Sequence, residues 1–487
     1  MIDLSKKDNL IRGNAERLRK HGISLPTFAQ MRNPTLIPEK IKSRLASTGL
    51  WDIDPVNLYR ITWHNQPVEK GGGYGRVNYL ELPSRLTGVR ARVIGLVGKW
   101  FPTGSHKVGA TYACLVPRLV TGQFDPTEQK AVWPSTGNYC RGGAFNAALL
   151  SCESIAILPE EMSRERFEWL SKIAGEVIAT PGSESNVKEI YDKCDELRAT
   201  RDNISIFNQF DEFGNYLWHY HVTGPAMEEV AHMIMGGSDR IAGVVSSTGS
   251  AGTIASGDYI KDRFPMAKIV AAEALQCPTL LNNGFGSHRI EGIGDKHVPW
   301  IHNVRNLDFV AAVDDEGPMN ILRLFNDPEG VKYLADQGIS ADIIESLPLL
   351  GISSLGNLIA AIKFAKYYEL IEKDIILTVF TDSMDMYESR LAQQSEAMGP
   401  YSTQAAFKDH HRYILAQQID NITELSYYGR KRIHNLKYYT WIEQQGRSVE
   451  ELDAQWYEFP DYWDNIQHQV GKIDTLIEEM NNEIDRR

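Results

Sequence analysis

Between about residues 90 and 385, the chain alternates short apolar runs with amphipathic stretches. Continuous apolar runs of this length are typical of buried strands, whereas apolar residues three and four apart indicate helices. The pattern predicts strands at 91–97, 130–133, 154–158, 176–180, 241–246, 268–272 and 375–380. It predicts helices at 107–121, 141–150, 163–174, 185–198, 223–236, 251–263 and 355–370.

Strands that alternate with helices predict an α/β fold, in which helices cover both faces of a parallel sheet. The predicted strands are too many for one small sheet, and 487 residues exceed what one hydrophobic core usually serves. We therefore expect two α/β halves with a cleft between them. Ligands of such sheets bind where glycine-rich turns leave the carboxyl ends of strands.

The two ends of the chain do not show this alternation of apolar runs and amphipathic stretches. Residues 1–80 are mixed and rich in Pro and Gly, and the cluster EKGGGYGR (69–76) reads as a surface loop because no apolar strand precedes it. Residues 391–487 are polar, read as helices with little strand signal, and include a capping-box pattern at Ser448 and Glu451. Nothing in this C-terminal segment suggests catalysis.

Composition and charge narrow the functional classes. The net charge of −12 argues against a nucleic-acid or anionic-membrane surface. Five cysteines without CxxC spacing favour a reducing cytoplasm over a disulfide framework. We find no signal peptide and no apolar run long enough to span a membrane, and His219 and His221 lack partners at zinc-type spacing. A cytoplasmic protein without a metal site is the expectation.

A lysine begins the helix that follows the first predicted strand. The segment FPTGSHKVGATYACL (101–115) leads from a Pro-Thr-Gly-Ser turn into Lys107. N–H groups at a helix start favour a neutral amine and attract phosphate, and a Schiff-base lysine must be neutral to attack an aldehyde. Taken alone, however, most lysines at a helix start are merely solvated.

Small residues follow the predicted strand 241–246, in the segment SSTGSAGTIASG (246–257). Their backbone N–H groups can converge on an anion, and the next helix adds its dipole. Neither a Walker ending nor a GxGxxG pattern is present, so a single phosphate is favoured over a nucleotide, with a plain tight turn as the alternative. The predicted cradle consists of Gly249, Ser250, Ala251, Gly252 and Thr253.

Two further turns carry polar side chains at strand ends. In PSTGNYCRGGAFNAALL (134–150), the turn Ser135-Thr136-Gly137-Asn138 offers hydroxyl and N–H groups to a carboxylate and an amide to a ring oxygen; an ordinary helix cap is the alternative. The strand 375–380 ends in Thr381-Asp382-Ser383, where a hydroxyl can hydrogen-bond a heterocyclic nitrogen without protonating it.

In order and spacing, these four motifs resemble the fold-type II (tryptophan synthase β-like) family of pyridoxal-phosphate enzymes, with cysteine synthase and cystathionine β-synthase the most similar members. The resemblance runs from about residue 80 to 390 and includes 159–182, 209–225, 286–299 and 351–361. It implies two doubly wound parallel-sheet domains with pyridoxal 5′-phosphate in the cleft, and a homodimer. The implied organisation is an N-terminal extension (1–80), a catalytic core (81–390) with a smaller subdomain at about 125–225, and a C-terminal helical extension (391–487).

On the matching positions, the resemblance makes Lys107 the catalytic Schiff-base lysine and 249–253 the phosphate loop. It makes Asn138 the partner of the ring 3′-oxygen and Ser383 the partner of the pyridine nitrogen. His106 would reach the phosphate, as in tryptophan synthase β.

The substrate side of the cleft is implied in the same way. Ser135, Thr136 and Gly137 would bind the substrate carboxylate, and Gly292 would border the substrate. Tyr139 departs from cysteine synthases, which have a small or polar residue there, and its bulk is expected to reshape the pocket.

The resemblance implies β-elimination or β-replacement on a small amino acid, namely cysteine, serine or an O-activated serine. A serine/threonine dehydratase-type lyase is the alternative enzyme. A non-catalytic sensor or scaffold that keeps the cofactor fold is an alternative from another class.

Overall fold

The computed structural model describes residues 1–67, 71–135, 137–294 and 296–486. Its strands form two sheets, one of seven strands and one of four. The strands are β1 (Tyr79–Leu82), β2 (Arg92–Val97), β3 (Lys130–Pro134), β4 (Ser154–Pro159), β5 (Glu176–Thr180), β6 (Ile204–Ile206), β7 (Arg240–Ser247), β8 (Lys268–Ala274), β9 (Phe309–Val313), β10 (Asp374–Phe380) and β11 (Ile422–Glu424).

The larger sheet has the order β1-β2-β10-β7-β8-β9-β11, and the smaller sheet has the order β5-β4-β3-β6. The smaller sheet is parallel throughout, and its strands lie in the chain between β2 and β7 of the larger sheet. The inner strands of the larger sheet are parallel, but β1 and β11 pair antiparallel at its two edges. The predicted two-sheet α/β architecture is confirmed, although the larger sheet is mixed at its edges.

Helices cover both sheets and fill most of the two chain ends. They are α1 (Asp8–Lys20), α2 (Phe28–Arg32), α3 (Glu39–Leu45), α4 (Ser84–Thr87), α5 (Lys107–Val120), α6 (Asn138–Leu149), α7 (Arg164–Ile173), α8 (Val187–Thr200), α9 (Phe213–Trp218), α10 (Gly224–Ile234), α11 (Ala255–Arg263), α12 (Thr279–Asn282), α13 (Glu316–Asn326), α14 (Pro328–Asp336), α15 (Ala341–Ser346), α16 (Ile352–Tyr367), α17 (Glu388–Met398), α18 (Thr403–His410), α19 (Tyr427–Asn435), α20 (Val449–Tyr457), α21 (Asp461–Gln467) and α22 (Gln469–Asp485). The most buried of them, α5, α6 and α16, pack against other core elements.

Every strand predicted from the sequence is present, with ends within two residues of the prediction. The strands β1, β6, β9 and β11 were not predicted. The β6 and β11 strands have only three residues each, too few for an apolar pattern. The β9 strand is a fully buried apolar run, FVAAV, which a continuous apolar run alone does not distinguish from a helical segment.

The C-terminal segment, which is mostly helical as predicted, packs against the larger sheet and the N-terminal helices. Its strand β11 pairs with β9, and its helix α22 packs against α1, α2 and α5. The carboxylate of Asp474 accepts hydrogen bonds from the backbone N–H groups of Phe28 and Ala29 at 2.7 and 3.1 Å. The two ends of the chain thus form one layer that supports α5, the helix that begins at Lys107.

All five cysteines are free and buried. No single helix in the described part of the chain is long and apolar enough to cross a membrane. A bent pair, Ala341–Leu349 and Ile352–Tyr367, meets the length and composition criteria only when the two helices are taken together.

Replacement of a core residue of α22 tests whether this layer unfolds with the catalytic core. Ile477 is fully buried in the same hydrophobic cluster as Val108 and Leu115 of α5. We expect Ile477→Ala to lower the free energy of unfolding by about 2–5 kcal/mol, because it leaves a cavity. The matched control Glu478→Ala, at an exposed neighbouring position, should change it by less than about 0.5 kcal/mol. Equal unfolding midpoints for the two variants in denaturant would contradict this integration.

Candidate active site

A cleft with about 670 Å³ of space, its open mouth included, lies at the carboxyl ends of strands from both sheets. Ser135 follows β3 of the smaller sheet, whereas residues 249–253 follow β7 and Thr381 follows β10 of the larger sheet. A lining of convergent polar groups is typical of a cofactor site. The cleft lies where open parallel sheets bind their ligands.

The predicted Schiff-base lysine lies in this cleft. Lys107 is the first residue of α5, and its Nζ lies 3.2 Å from Ser250 Oγ. Burial lowers the pKa of the Lys107 amine to about 8, since little water remains to stabilise the ammonium form. An amine of this pKa is partly neutral near pH 7, as nucleophilic attack on an aldehyde requires.

His106 does not line the cleft, but it contacts the phosphate loop from behind. Its ring stacks on those of Trp63 and Trp218, and its Nε2 lies 3.2 Å from Thr253 Oγ1. Burial, with Lys107 as a lesser cause, lowers the pKa of His106 well below its ordinary value, so the imidazole is neutral. In this structure, His106 therefore orients the Thr253 hydroxyl.

The predicted phosphate loop, residues 249–253, connects β7 to α11 and lines the cleft along its whole length. Within the described residues, none of its backbone N–H groups donates a hydrogen bond to a protein acceptor. A Cβ on Gly252 would collide with Asn215 Oδ1, so only glycine allows this close approach. Unpaired N–H groups that precede a helix, with the Ser250 and Thr253 hydroxyls beside them, have the chemistry that phosphate binding requires.

The predicted carboxylate loop lies on the opposite wall of the cleft. Ser135 lines the cleft, and its Oγ accepts a hydrogen bond from the Gly137 N–H at 3.1 Å. Gly137 has φ +156 and lies behind the cleft surface, where a Cβ would collide with Arg166. Thr136, predicted to share in carboxylate binding, lies outside the described residues.

Asn138 begins α6 and lines the cleft, as its predicted role requires. Its Nδ2 donates to Asp382 Oδ2 at 2.7 Å, and its Oδ1 has no hydrogen-bond partner in the described part of the protein. Asp382 thus fixes the orientation of the amide. The second N–H of that amide stays available to a ring oxygen.

The turn after β10 differs in detail from the prediction. Thr381 lines the cleft, whereas Ser383, the predicted partner of the pyridine nitrogen, is buried and is not among the lining residues. Between them, Asp382 points away into hydrogen bonds with Asn138 and Tyr387. The role of Ser383 stays a prediction, and Thr381 is the hydroxyl that the structure brings to the cleft surface.

Several cleft residues were not singled out in the sequence. Asn215 Nδ2 donates to Ser250 Oγ and to the Gln209 carbonyl, both at 3.0 Å, and Gln209 itself lines the cleft. The resemblance of 209–225 to the family was the one available signal for this pair.

Gly292, expected beside the substrate, does line the cleft, with φ +94.

These groups fit pyridoxal 5′-phosphate. A buried amine with a lowered pKa can bond its aldehyde carbon, unpaired N–H groups and hydroxyls can bind its phosphate, and an amide and a hydroxyl can bind its ring. Among the described residues, no group of three or more His, Cys, Asp or Glu side chains is arranged to hold a metal ion.

Comparison with known proteins also indicates a pyridoxal-phosphate dependent enzyme. Residues 100–332 match a family model described as pyridoxal-phosphate dependent enzyme. The chain is 29% identical over 289 residues to a probable cysteine synthase of Bacillus subtilis, which covers 59% of this chain and 85% of that protein. It is 25% identical over 316 residues to the cystathionine beta-synthase of Saccharomyces cerevisiae, which covers 63% of this chain and 59% of that protein.

Solved structures share the fold. A hydrogen sulfide-producing enzyme from Fusobacterium nucleatum aligns with a TM-score of 0.54 and 24% identity over 71% of this chain and 95% of its own. An O-acetylserine dependent cystathionine beta-synthase from Helicobacter pylori aligns with a TM-score of 0.53 and 23% identity over 65% and 95%. Residues 100–332 are thus similar to the pyridoxal-phosphate dependent enzyme family, and the protein is an enzyme that uses pyridoxal 5′-phosphate and has the fold-type II architecture.

The lowered pKa predicts how covalent capture of the cofactor depends on pH. Below a pH of about 8 the Lys107 amine is mostly protonated and unreactive, and above it the amine is mostly neutral. The rate at which cofactor-free protein captures pyridoxal phosphate should therefore rise through pH 8 and then level off. Borohydride quenching and mass spectrometry of the Lys107 peptide measure this rate, with N-α-acetyl-lysine as the parallel control. A midpoint near 10.5, the ordinary lysine value, would show that the amine is solvated.

Gly252 tests the phosphate cradle. Gly252→Ala should weaken cofactor binding at least tenfold, about 1.4 kcal/mol, because the added methyl group displaces Asn215 or the loop itself. In the control Gly237→Ala, the new methyl group has no atom within 4 Å, and affinity should be unchanged. Fluorescence titration of cofactor-free protein gives both affinities, and equal values would refute the assignment of the loop.

Proposed function

We propose that this protein catalyses β-replacement on serine or an O-activated serine, with β-elimination from cysteine or serine as the related partial reaction. The observation that carries the proposal is the Lys107 amine, 3.2 Å from Ser250 Oγ and facing a loop of unpaired N–H groups. The names of the relatives support the substrate class, since they include cysteine synthases and an O-acetylserine dependent enzyme.

In this proposal, one set of cleft residues binds the cofactor and another binds the substrate. Residues 249–253 would hold the cofactor phosphate, and the Lys107 amine would bond to the aldehyde carbon of the cofactor. Asn138 binds the ring 3′-oxygen, while Ser383 or Thr381 binds the ring nitrogen. A neutral hydroxyl at this nitrogen keeps the ring unprotonated, which disfavours transamination.

The substrate carboxylate is bound by Ser135, Thr136 and the Gly137 backbone on the other wall. Bound pyridoxal phosphate supplies an electron sink that acidifies the α C–H bond of the amino acid attached to it. The Lys107 amine, released when the substrate binds, accepts the α-proton as general base. Ser250 Oγ, within hydrogen-bond distance of Nζ, keeps that amine over the substrate.

Loss of the β-substituent completes the elimination half of the reaction. In replacement, a nucleophile then bonds to the β-carbon, and the Lys107 ammonium group returns a proton to the α-carbon. In elimination, no nucleophile adds to the β-carbon; the released enamine tautomerises to an imine, which water hydrolyses to pyruvate and ammonia. Tyr139 also lines the cleft, and its bulk would limit the size of the β-substituent.

We also propose that the protein is a cytoplasmic homodimer. Each chain would consist of an N-terminal extension (1–80), a catalytic core (81–390) with a smaller subdomain at about 125–225, and a C-terminal helical extension (391–487). Free, buried cysteines support the reducing compartment. The smaller sheet, whose strands lie between residues 130 and 206, supports the subdomain.

A product assay separates the candidate reactions. With O-acetylserine and sulfide, the purified holoenzyme should form cysteine, and with cysteine alone it should release sulfide. Lys107→Ala should lower both rates by about 10²–10⁴-fold, because the general base is lost. Pyruvate from serine, without cysteine from O-acetylserine, would favour a dehydratase. No absorbance change with any amino acid of a panel would favour a non-catalytic sensor.

A further inference from the structure

A fully buried arginine lies directly behind the cleft and contacts elements that belong to both sheets. Arg166 is in the first turn of α7, a helix between two strands of the smaller sheet, and its side chain has no exposed surface. It is not among the residues that line the cleft. Its guanidinium group lies against the backbone of Gly137 in the carboxylate loop, where a Cβ on that glycine would collide with it.

Two further contacts of Arg166 reach segments that follow strands of the larger sheet. Its Nη1 forms an ion pair with Glu291 Oε2 at 3.0 Å, and its Nη2 donates to the Tyr387 hydroxyl at 3.1 Å. Glu291 immediately precedes Gly292, which lines the cleft. Its other carboxylate oxygen accepts from Arg390 Nε at 2.6 Å, so the position of Glu291 is fixed from both sides.

The Tyr387 contact continues to the cofactor side of the cleft. The Tyr387 hydroxyl donates to Asp382 Oδ2 at 2.8 Å, and the same oxygen accepts from Asn138 Nδ2 at 2.7 Å. Burial raises the pKa of Asp382, while Arg166 and these hydrogen bonds act in the opposite direction. One guanidinium group therefore lies against Gly137 and pairs with Glu291, the residue before Gly292. Through Tyr387 and Asp382 it is also connected to Asn138, by hydrogen bonds of 3.1, 2.8 and 2.7 Å.

This arrangement requires an arginine that is charged. Burial alone would lower the pKa of Arg166, but Glu291, Tyr387, Glu184 and Asp382 together raise it above the ordinary value. The planar guanidinium group uses separate nitrogens for Glu291 and Tyr387 in a fixed geometry, which the compact ammonium group of a lysine does not reproduce. Removing such a group would leave the buried Glu291 carboxylate paired with Arg390 alone.

We propose that Arg166 is a positioning residue. It fixes the substrate-carboxylate loop (Ser135 to Gly137) and the Asn138 amide in position relative to Gly292, which lines the cleft. The proposal rests on the proposed function for the part in which Ser135 to Gly137 bind a substrate carboxylate. The contacts through Asp382 to Asn138 concern the cofactor side and do not depend on which amino acid is the substrate.

The test compares Arg166→Lys with a matched control, Arg323→Lys. Arg323 on α13 is also buried, but it donates to the Gly399 carbonyl and stacks on Tyr401, away from the cleft. Amide hydrogen exchange of the holoenzymes is measured along the chain, together with the thermal midpoint. We expect exchange at least about fivefold faster in residues 137–141 and 289–294 of Arg166→Lys alone, because both segments lose a common anchor.

Kinetics give a second measurement. The KM for the amino acid should rise about tenfold in Arg166→Lys while kcat changes less than about threefold, because the carboxylate loop binds ground state and transition state alike. In Tyr387→Phe, which keeps the pair with Glu291, exchange should increase at 137–141 but not at 289–294. This variant serves as the test if Arg166→Lys does not fold.

If Arg166→Lys and Arg323→Lys lower the thermal midpoint equally and show equal exchange profiles, the proposal is overturned. The ion pair of Arg166 with Glu291 would then contribute to stability alone. Unchanged exchange at 137–141 in Tyr387→Phe would do the same for the connection to Asn138. If the unaltered enzyme converts no amino acid, the proposed function fails. The exchange measurements still decide whether Arg166 positions residues 137–141 and 289–294.

Discussion

The amine of Lys107 has to be withdrawn from water and still reach the cleft, and much of this fold can be understood from that requirement. Its pKa of about 8 comes from burial, so it depends on the packing of α5 in the core. That helix contacts α6 and α9 on the cleft side and α1 and α22 on the other. The terminal segments, which lie outside the family match, thereby contribute to the chemistry without touching the cleft.

Charge is distributed around this amine in a consistent way. The groups close to Lys107 are neutral: a serine hydroxyl at Nζ, the neutral His106 behind it and unpaired N–H groups in the phosphate loop. The buried charges near the cleft are paired: Arg166 forms an ion pair with Glu291 behind the cleft and lies 4.0 Å from Glu184, which lines it. Neutral groups at the reacting amine and paired charges behind the walls avoid an unpaired charge beside the cofactor.

The predicted site residues that the structure brings to the cleft are mostly those coded by local sequence pattern. Lys107 and the loop 249–253 each follow a strand and begin or precede a helix, so a short window of sequence contains their geometry. Arg166 could not be predicted, because its partners Glu291 and Tyr387 are far away in the chain and nothing in the polar helix α7 marks it. Ser383 and Thr381 differ by two residues, and only the conformation of the turn decides which hydroxyl lines the cleft.

Long-range pairing also explains what was missed in the fold. The β11 strand exists because β9 offers it an edge, and its own three polar-flanked residues carry no strand pattern. The C-terminal helices were predicted as helices, but their place beside α1 and α5 follows from apolar residues that have partners only in the folded chain. Local propensity thus defined most elements, whereas tertiary contacts defined how the chain ends support the catalytic helix.

The central claim is that the Lys107 amine moves the α-proton of an amino acid bound in this cleft. The most direct measurement is exchange of the α-hydrogen of L-alanine, which has no β-leaving group, in D₂O by nuclear magnetic resonance. The account predicts enzyme-dependent exchange that Lys107→Ala lowers by about 10²–10⁴-fold. Undiminished exchange in Lys107→Ala with bound pyridoxal phosphate would contradict it.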